Sequence, residues 1–335
     1  MRFAPTDEQL AFAEATRGFL ARAATPQVVR EAWSTHGIPR DLWNGLTDLG
    51  LLTMLAPEEL GGAGSELELT GALEQVGRAA APGPIVEHAA VAIPLLSAFA
   101  PELLRGNDFL REPITVSRSD VMPYIGARHA LLLRGDAILR VDLGERTPLE
   151  SLDDSRAVAR LDADTLAAAV PVADGHDVAA AIRLAADRAA LGTAAVLLGL
   201  SARATEMTVE YTGNRTQFGA PIGSFQAVKH HLANAHVAVE MARPLTEAAA
   251  WALSADDAGA STLCSMAKVT ANKAARTAAK AALQCHGAIG YTMEADLHLY
   301  LMRIWSLLNA WGTTDEHRER VYASWHAPAT ALAAV

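Results

Sequence analysis

The sequence predicts a mostly α-helical protein with a small β-rich middle domain. The stretch from Asp177 to Tyr211 is rich in Ala and Leu and contains no proline, which is typical of a long helix. Residues 6–103 also place apolar side chains at helical spacing, whereas residues 113–172 hold short apolar runs separated by Gly, Asp and Pro. We therefore expect an N-terminal helical domain at 1–105, a short β-rich domain at 106–175 and a C-terminal helical bundle at 176–335.

The N-terminal domain begins with a capping signal. Thr6 is followed three residues later by Gln9, the pairing found in a capping box. Pro57 and three glycines then interrupt the helical pattern within 56–64. A further helix is predicted from Leu67 to Val76.

The middle and C-terminal domains differ in the length of their apolar runs. Four short strands are predicted at 114–116, 129–133, 137–141 and 157–161. The proline-free stretch that starts at Asp177 would span ~50 Å as a helix, and more helices are predicted at 224–254, 258–286, 295–310 and 314–324. Apolar-faced helices that follow one another in this way indicate an antiparallel four-helix bundle.

Composition and charge argue against nucleic-acid binding, a disulfide framework and a membrane span. The net charge of −10 argues against nucleic acid, whose binding depends on clustered basic side chains. Cys264 and Cys285 are the only cysteines, which favours a reducing cytoplasm over a secreted disulfide framework. The longest uncharged helical stretch, Ala189 to Ala202, has 14 residues. Because a membrane span needs ~20, we expect none.

Two blocks combine a permissive backbone with side chains that can bind phosphate. The first runs from Arg215 to Gln226 and the second from Gln284 to Tyr291, and each contains two glycines. Arg215 carries a planar fork of donors suited to a diphosphate. A plain turn between two helices would require neither Arg215 nor Gln217, so the first block favours a binding role.

These blocks resemble the C-terminal domain of flavin-dependent acyl-CoA dehydrogenases, and the segments 49–64 and 73–78 resemble the helical-domain signature of the same family. The resemblance extends over residues 1–105 and 180–335. It implies that this chain contacts FAD held mainly by a neighbouring subunit. The implied contacts are Arg215, Gln217, Phe218, Gln284, Gly287 and Ala288. Ala288 replaces a family glycine, so its methyl group demands a negative φ or additional room.

The resemblance also implies a catalytic glutamate at one of two positions. Trp311 occupies the first of them and Ala189 the second. Asp187 lies two residues from Ala189, about 200° around the helix, and is expected to face elsewhere. We therefore predict no catalytic base at either position.

The middle domain lacks the family's flavin-binding stretches, Thr-Glu-Pro-x-x-Gly-Ser-Asp and Trp-Ile-Thr-Asn. Because it lacks both these stretches and the glutamate, the chain resembles the shorter subunit of α2β2 acyl-CoA dehydrogenases, including those of steroid side-chain β-oxidation. The implied partners are a larger subunit, an acyl-CoA substrate and an electron-transfer flavoprotein. Two alternatives stay open: an active homo-oligomer with an unusual base such as Asp187 or Asp315, and a non-catalytic binding protein.

The sequence argues against a metal site and against a reactive cysteine. His236 and Glu240 are four residues apart on one predicted helix, but a zinc site needs three or four convergent ligands. No metal site is therefore predicted. Cys285 is expected to be a buried apolar side chain, because no base accompanies it in the sequence.

Overall fold

The N-terminal region of the protein is helical. The computed structural model describes residues 4–105 and 108–326. Its first helices are α1 (Asp7–Ala23), α2 (Pro26–Thr35), α3 (Arg40–Asp48), α4 (Glu66–Arg78), α5 (Ile93–Phe99), α6 (Pro101–Arg105) and α7 (Asp108–Arg111). A π-helical turn, Glu87–Ala92, leads directly into α5.

Capping explains where two of these helices begin. At α1, the Thr6 hydroxyl accepts from the Gln9 backbone N–H (3.2 Å), and the Gln9 side chain accepts from the Thr6 backbone N–H (2.9 Å). The predicted capping box is therefore present. Ser65 and Glu68 form a second one at the start of α4.

The middle region contains two small sheets. Strands β1 (Ile114–Ser117), β3 (His129–Arg134), β4 (Ala137–Val141) and β6 (Val170–Asp174) form one sheet in the order β1-β3-β4-β6, in which β1 and β3 are parallel. Strands β2 (Val121–Pro123) and β5 (Val158–Arg160) form a separate antiparallel pair. The short helix α8 (Ala163–Ala167) precedes β6.

The C-terminal region is built around one long central helix. Helix α9 (His176–Asn214) packs against α10 (Gln226–Ser254) and α11 (Ala260–His286), and the hairpin strands β7 (Thr216–Gln217) and β8 (Ala220–Pro221) separate α9 from α10. Helix α12 (Leu297–Leu307) packs against α9, and α13 (Thr314–His326) packs against α11. The mostly helical fold is confirmed, although α12 and α13, with 11 and 13 residues, are much shorter than the other three.

Glycines allow α4 to approach α9 closely. A Cβ atom on Gly199 would stand 1.9 Å from the Glu74 carbonyl oxygen, and one on Gly77 would stand 2.1 Å from the Val196 carbonyl oxygen. Both distances are far below a van der Waals contact. The contact between the N-terminal helices and the bundle therefore depends on two positions without a side chain.

Helix α9 is long and apolar enough to cross a membrane, but 83% of its most apolar window is buried inside the protein. The helix contacts α4, α10, α11 and α12, which together surround it. Its apolar surface is thus accounted for by packing within this fold.

Candidate functional site

A tight hairpin follows the end of α9. The Arg215 N–H donates to the Tyr211 carbonyl (2.9 Å), after which the chain leaves the helix. Phe218 and Gly219, the two residues between β7 and β8, have φ values of 53° and 81°. Two successive residues with positive φ are typical of a type I′ hairpin turn. The turn leaves the Phe218 side chain 95% exposed.

The polar side chains of this hairpin point to solvent. Arg215 is exposed, and its guanidinium group forms no salt bridge or hydrogen bond with any residue in 4–105 or 108–326. The Gln217 side chain is also exposed and donates to the adjacent Thr216 carbonyl (2.8 Å). The donors of Arg215 are therefore available to a group from outside the chain.

The second block lies at the same end of the bundle. Helix α11 ends at His286, whose ring stacks on Tyr211 of α9 with centroids 4.4 Å apart. Gln284, Gly287 and Ala288 are all exposed. Gly287 has a φ of 64° and open space where a Cβ would stand. The φ of Ala288 is not positive, so its methyl group is tolerated. The Tyr211–His286 stack thus brings together the two helix ends from which both blocks start.

A separate pocket opens between the middle domain and the segment that joins α12 to α13. It has a volume of about 510 Å³ and is lined by residues of β1, β2 and β5 and by Trp311. Glu87, from the π-helical turn, forms part of its wall and is 3% exposed. The Trp311 Nε1 donates to the Glu87 Oε1 at 3.3 Å. Burial raises the pKa of Glu87, so this carboxyl group resists ionisation.

Buried polar side chains contact the backbone of the segment around Trp311. The fully buried Lys268 Nζ donates to the carbonyls of Leu308 (3.0 Å) and Leu307 (3.3 Å) at the end of α12. The His317 Nε2 lies 3.1 Å from the Trp311 carbonyl. Burial lowers the pKa of Lys268 to about 7 and that of His317 to about 4. Trp311 itself has a left-handed backbone conformation, with a φ of 58°.

A buried ion pair ties the three regions together beside this pocket. Arg303 of α12 donates to Asp153 and Ser155 of the middle domain, and to the Ala81 carbonyl (2.9 Å) of the N-terminal region. Arg303 and Asp153 are 3% and 0% exposed. Removing one partner of such a pair typically costs about 3–5 kcal/mol. The pair therefore fixes the walls of the pocket relative to one another.

Comparison with known proteins identifies the fold. The acyl-CoA dehydrogenase N-terminal domain matches residues 6–106, and the acyl-CoA dehydrogenase C-terminal domain matches residues 174–325. The acyl-CoA dehydrogenase IpdE2 of Mycobacterium tuberculosis is 32% identical over 311 residues, which is 89% of this chain and 91% of that protein. This chain belongs to the acyl-CoA dehydrogenase family.

Several solved structures share its architecture. The ChsE4–ChsE5 complex of M. tuberculosis matches with a TM-score of 0.83 and 26% identity, over 98% of this chain and 100% of that one. A variant of the Tcur3481–Tcur3483 steroid acyl-CoA dehydrogenase matches with a TM-score of 0.82 and 25% identity, over 96% and 98%. A glutaryl-CoA dehydrogenase of Mycobacterium smegmatis in complex with FADH2 has the same fold, with a TM-score of 0.79, 16% identity and coverage of 97% and 96%.

The two positions at which the acyl-CoA dehydrogenase resemblance led us to expect a glutamate lie in different surroundings. Trp311 lines the pocket described above, whereas Ala189 is completely buried in α9. Neither an indole nor a methyl group can accept a proton at neutral pH. The two aspartates considered as substitutes are already paired: Asp187 accepts from Arg320, and Asp315 lies 3.1 Å from Arg318.

Sequence reasoning missed the carboxyl group that does line the pocket. Glu87 lies within the apolar run Ile85–Ile93, and an acidic residue in such a run is itself a signal of a buried functional or paired group. Its π-helical turn is a feature that often occurs at functional sites. The arginines of the pocket, Arg118 and Arg156, were missed as well, because no local pattern distinguishes them.

Metal-ligand geometry is not found in the described ranges 4–105 and 108–326, where no three His, Cys, Asp or Glu side chains group together closely enough to bind an ion. Glu240 instead accepts from Arg243 on the same helix. Both cysteines are buried, and burial raises the pKa of each thiol, which disfavours the reactive thiolate.

Proposed function

We propose that this chain is one subunit of a heteromeric, FAD-dependent acyl-CoA dehydrogenase that catalyses α,β-dehydrogenation of an acyl-CoA thioester. In this proposal it completes the FAD site of a larger relative and leaves the catalytic base to that relative. The observation that carries the proposal is the Arg215 guanidinium, which is exposed at the end of the bundle and unpaired within the described ranges.

The exposed residues suit the diphosphate and adenosine half of FAD. Arg215 would bind the diphosphate through charge-assisted hydrogen bonds. Gly287 would permit a close backbone approach, because no atom lies within 4 Å of its missing Cβ. Bound FAD would supply the electron acceptor for the oxidation of the substrate. The remaining contacts that we assign to this site are Gln217, Phe218, Gln284 and Ala288.

The absence of a proton acceptor at both expected positions supports a division of labour. Removing the α-proton of a thioester requires a positioned base, and Trp311 and Ala189 cannot act as one. The larger subunit would therefore supply the carboxylate. The two-component names of the ChsE4–ChsE5 and Tcur3481–Tcur3483 enzymes support the same arrangement.

The relatives also suggest the first substrate and the physiological setting to test. Because the Tcur3481–Tcur3483 enzyme is a steroid acyl-CoA dehydrogenase, a steroid-derived acyl-CoA is the first choice. We infer that electrons pass on to an electron-transfer flavoprotein. Two buried free thiols are compatible with the reducing cytoplasm in which we place the complex.

Co-expression tests the proposal directly. The chain is purified alone and together with a longer acyl-CoA dehydrogenase that retains the glutamate, and flavin content and dye reduction by acyl-CoA are measured for both preparations. We expect flavin and activity only in the co-purified complex. A yellow, active protein obtained from this chain alone would establish the homo-oligomeric alternative. A complex without flavin would support a binding protein of the same fold.

A further inference from the structure

The pocket beside Trp311 contains two arginines that the proposed FAD contacts do not use. Arg118 follows directly after β1, and Arg156 ends the short 3₁₀ turn that precedes β5. The pocket has a volume of about 510 Å³, within the range of small-molecule sites. It is built by other elements than the hairpin that carries Arg215.

Neither guanidinium group is held in a salt bridge by the described residues, although Arg156 acts electrostatically on Glu87 and Arg118 on Glu316. Within the described parts of the chain, neither Arg118 nor Arg156 forms a salt bridge or a side-chain hydrogen bond. Arg156 lies over the Tyr124 ring, 5.6 Å from its centroid, and its Nε is buried without a hydrogen-bond partner. Leaving a buried donor unsatisfied is unfavourable, and a ligand oxygen that accepts from Arg156 would relieve this.

The two glutamates in the pocket wall are engaged elsewhere. The Glu316 carboxylate accepts from the backbone N–H (2.6 Å) and the hydroxyl (3.0 Å) of Thr313, and thereby caps α13. Glu87 accepts from Trp311. Although both line the same pocket as the arginines, neither comes within salt-bridge distance of Arg118 or Arg156.

The charges around the pocket select the ligand. Hydrogen bonds from Thr313 lower the pKa of Glu316, which favours its anionic form, while burial raises the pKa of Glu87 against the opposing effect of Arg156. When Glu87 is neutral, two arginines and one ionised glutamate leave one positive charge. A ligand with a single negative charge balances it, whereas a phosphate dianion would leave an excess negative charge beside Glu316.

The pocket also offers apolar walls for the body of such a ligand, from Val116, Val121, Val158 and Trp311. We propose that this pocket binds a small monocarboxylate with an apolar body, whose carboxylate is held by Arg156 and Arg118. The site shares no residue with the assigned FAD contacts, although its wall includes Trp311, the residue at one expected base position.

Calorimetric titration of the full chain, alone or co-purified with its partner, tests this site with hexanoate and with its neutral isostere hexanamide. We expect hexanoate to bind at least about tenfold more tightly, since hydrogen bonds to a charged group are worth about 1.5–3 kcal/mol. For the same reason, Arg156→Gln should weaken hexanoate binding about ten- to a hundredfold. Arg118→Gln should weaken it less, because Arg118 is exposed.

Arg134→Gln is the matched control, because Arg134 is an exposed arginine at the end of β3, outside the pocket. It should bind hexanoate as the unmodified protein does. Arg156→Lys keeps the charge, and its thermal unfolding without ligand reports whether the site still folds. Equal binding of hexanoate and hexanamide would overturn the proposal, as would an Arg156→Gln protein that binds like the control. Either result would leave the proposed FAD contacts untouched.

Discussion

The indole Nε1 of Trp311 donates a hydrogen bond to the carboxyl group of Glu87 at 3.3 Å, although 224 positions separate the two residues in the sequence. Trp311 stands where the acyl-CoA dehydrogenase resemblance led us to expect a glutamate, and its partner brings a carboxyl group into the same pocket. The His317 Nε2 lies 3.1 Å from the Trp311 carbonyl oxygen. The pair therefore links the N-terminal domain to the segment between α12 and α13.

Glu87→Gln should stabilise the protein more at pH 7 than at pH 4. Burial raises the pKa of Glu87 above its ordinary value of 4.5. Above that pH the unfolded chain releases the proton while the folded protein still holds it, so the contribution of Glu87 to the unfolding free energy falls as pH rises. Glutamine keeps an oxygen for Trp311 and does not titrate.

Urea unfolding of both proteins at the two pH values measures this difference. It should grow by about 1.4 kcal/mol for each unit by which the Glu87 pKa is raised. An identical difference at pH 4 and pH 7 would show that Glu87 ionises normally in the folded protein.

Arg215→Ala should lower the FAD content of the co-purified complex while leaving the folded chain intact. Arg215 is exposed and unpaired among the described residues, so its removal breaks no side-chain hydrogen bond or salt bridge with any of them. Losing a charge-assisted bond to a diphosphate should weaken FAD binding about tenfold or more. Absorbance of bound flavin after dialysis provides the measurement, with Arg134→Ala as the control. Unchanged flavin retention would refute the role of this hairpin.

Trp311→Glu should not create dehydrogenase activity in the isolated chain. The substitution restores a glutamate at the expected position, but the middle domain still lacks the flavin-binding stretches of the family. It also places a second carboxyl group beside buried Glu87 and removes the indole N–H that donates to Glu87, so charging either carboxyl group there is unfavourable. We therefore expect a lower Tm and no dye reduction with acyl-CoA. Turnover above that of the unmodified chain would show that the middle domain binds flavin unaided.

Lys268→Met should change the pH dependence of stability above neutral pH. Burial lowers the pKa of Lys268 from 10.5 to about 7. Between these values the unfolded chain binds a proton that the folded protein has lost, so the contribution of Lys268 to the unfolding free energy rises with pH. Methionine has a similar length and does not titrate.

The unfolding free energy of the unmodified protein minus that of Lys268→Met should therefore increase from pH 7 to pH 9.5. Taking this difference cancels the titration of the buried tyrosines and cysteines, which both proteins share. A difference that stays constant with pH would mean that Lys268 remains protonated in the folded state.

The sequence predicted those helices and strands whose pattern lies within one continuous segment. The proline-free run from Asp177 to Tyr211 predicted a long helix. The structure has this helix at His176–Asn214, slightly longer at both ends than predicted. Strand β6 was not predicted, because Pro171 interrupts its pattern and such a residue is tolerated at a sheet edge. Strand β2 has three residues, too few for any period to be detected. The π-helical turn at Glu87 was likewise invisible, since its apolar run fits an ordinary helix equally well.

By itself, the sequence determined the helical class, the capping box at Thr6 and the Arg215 and Gln284 blocks, because these depend on neighbouring residues and on the conformations that those residues allow. Only the tertiary structure decided that Glu87 meets Trp311, that Arg118 and Arg156 share a pocket, and that Arg215 stays unpaired among the described residues. Such contacts join residues that are distant in the chain. They follow from how whole helices and sheets pack, which no short segment specifies.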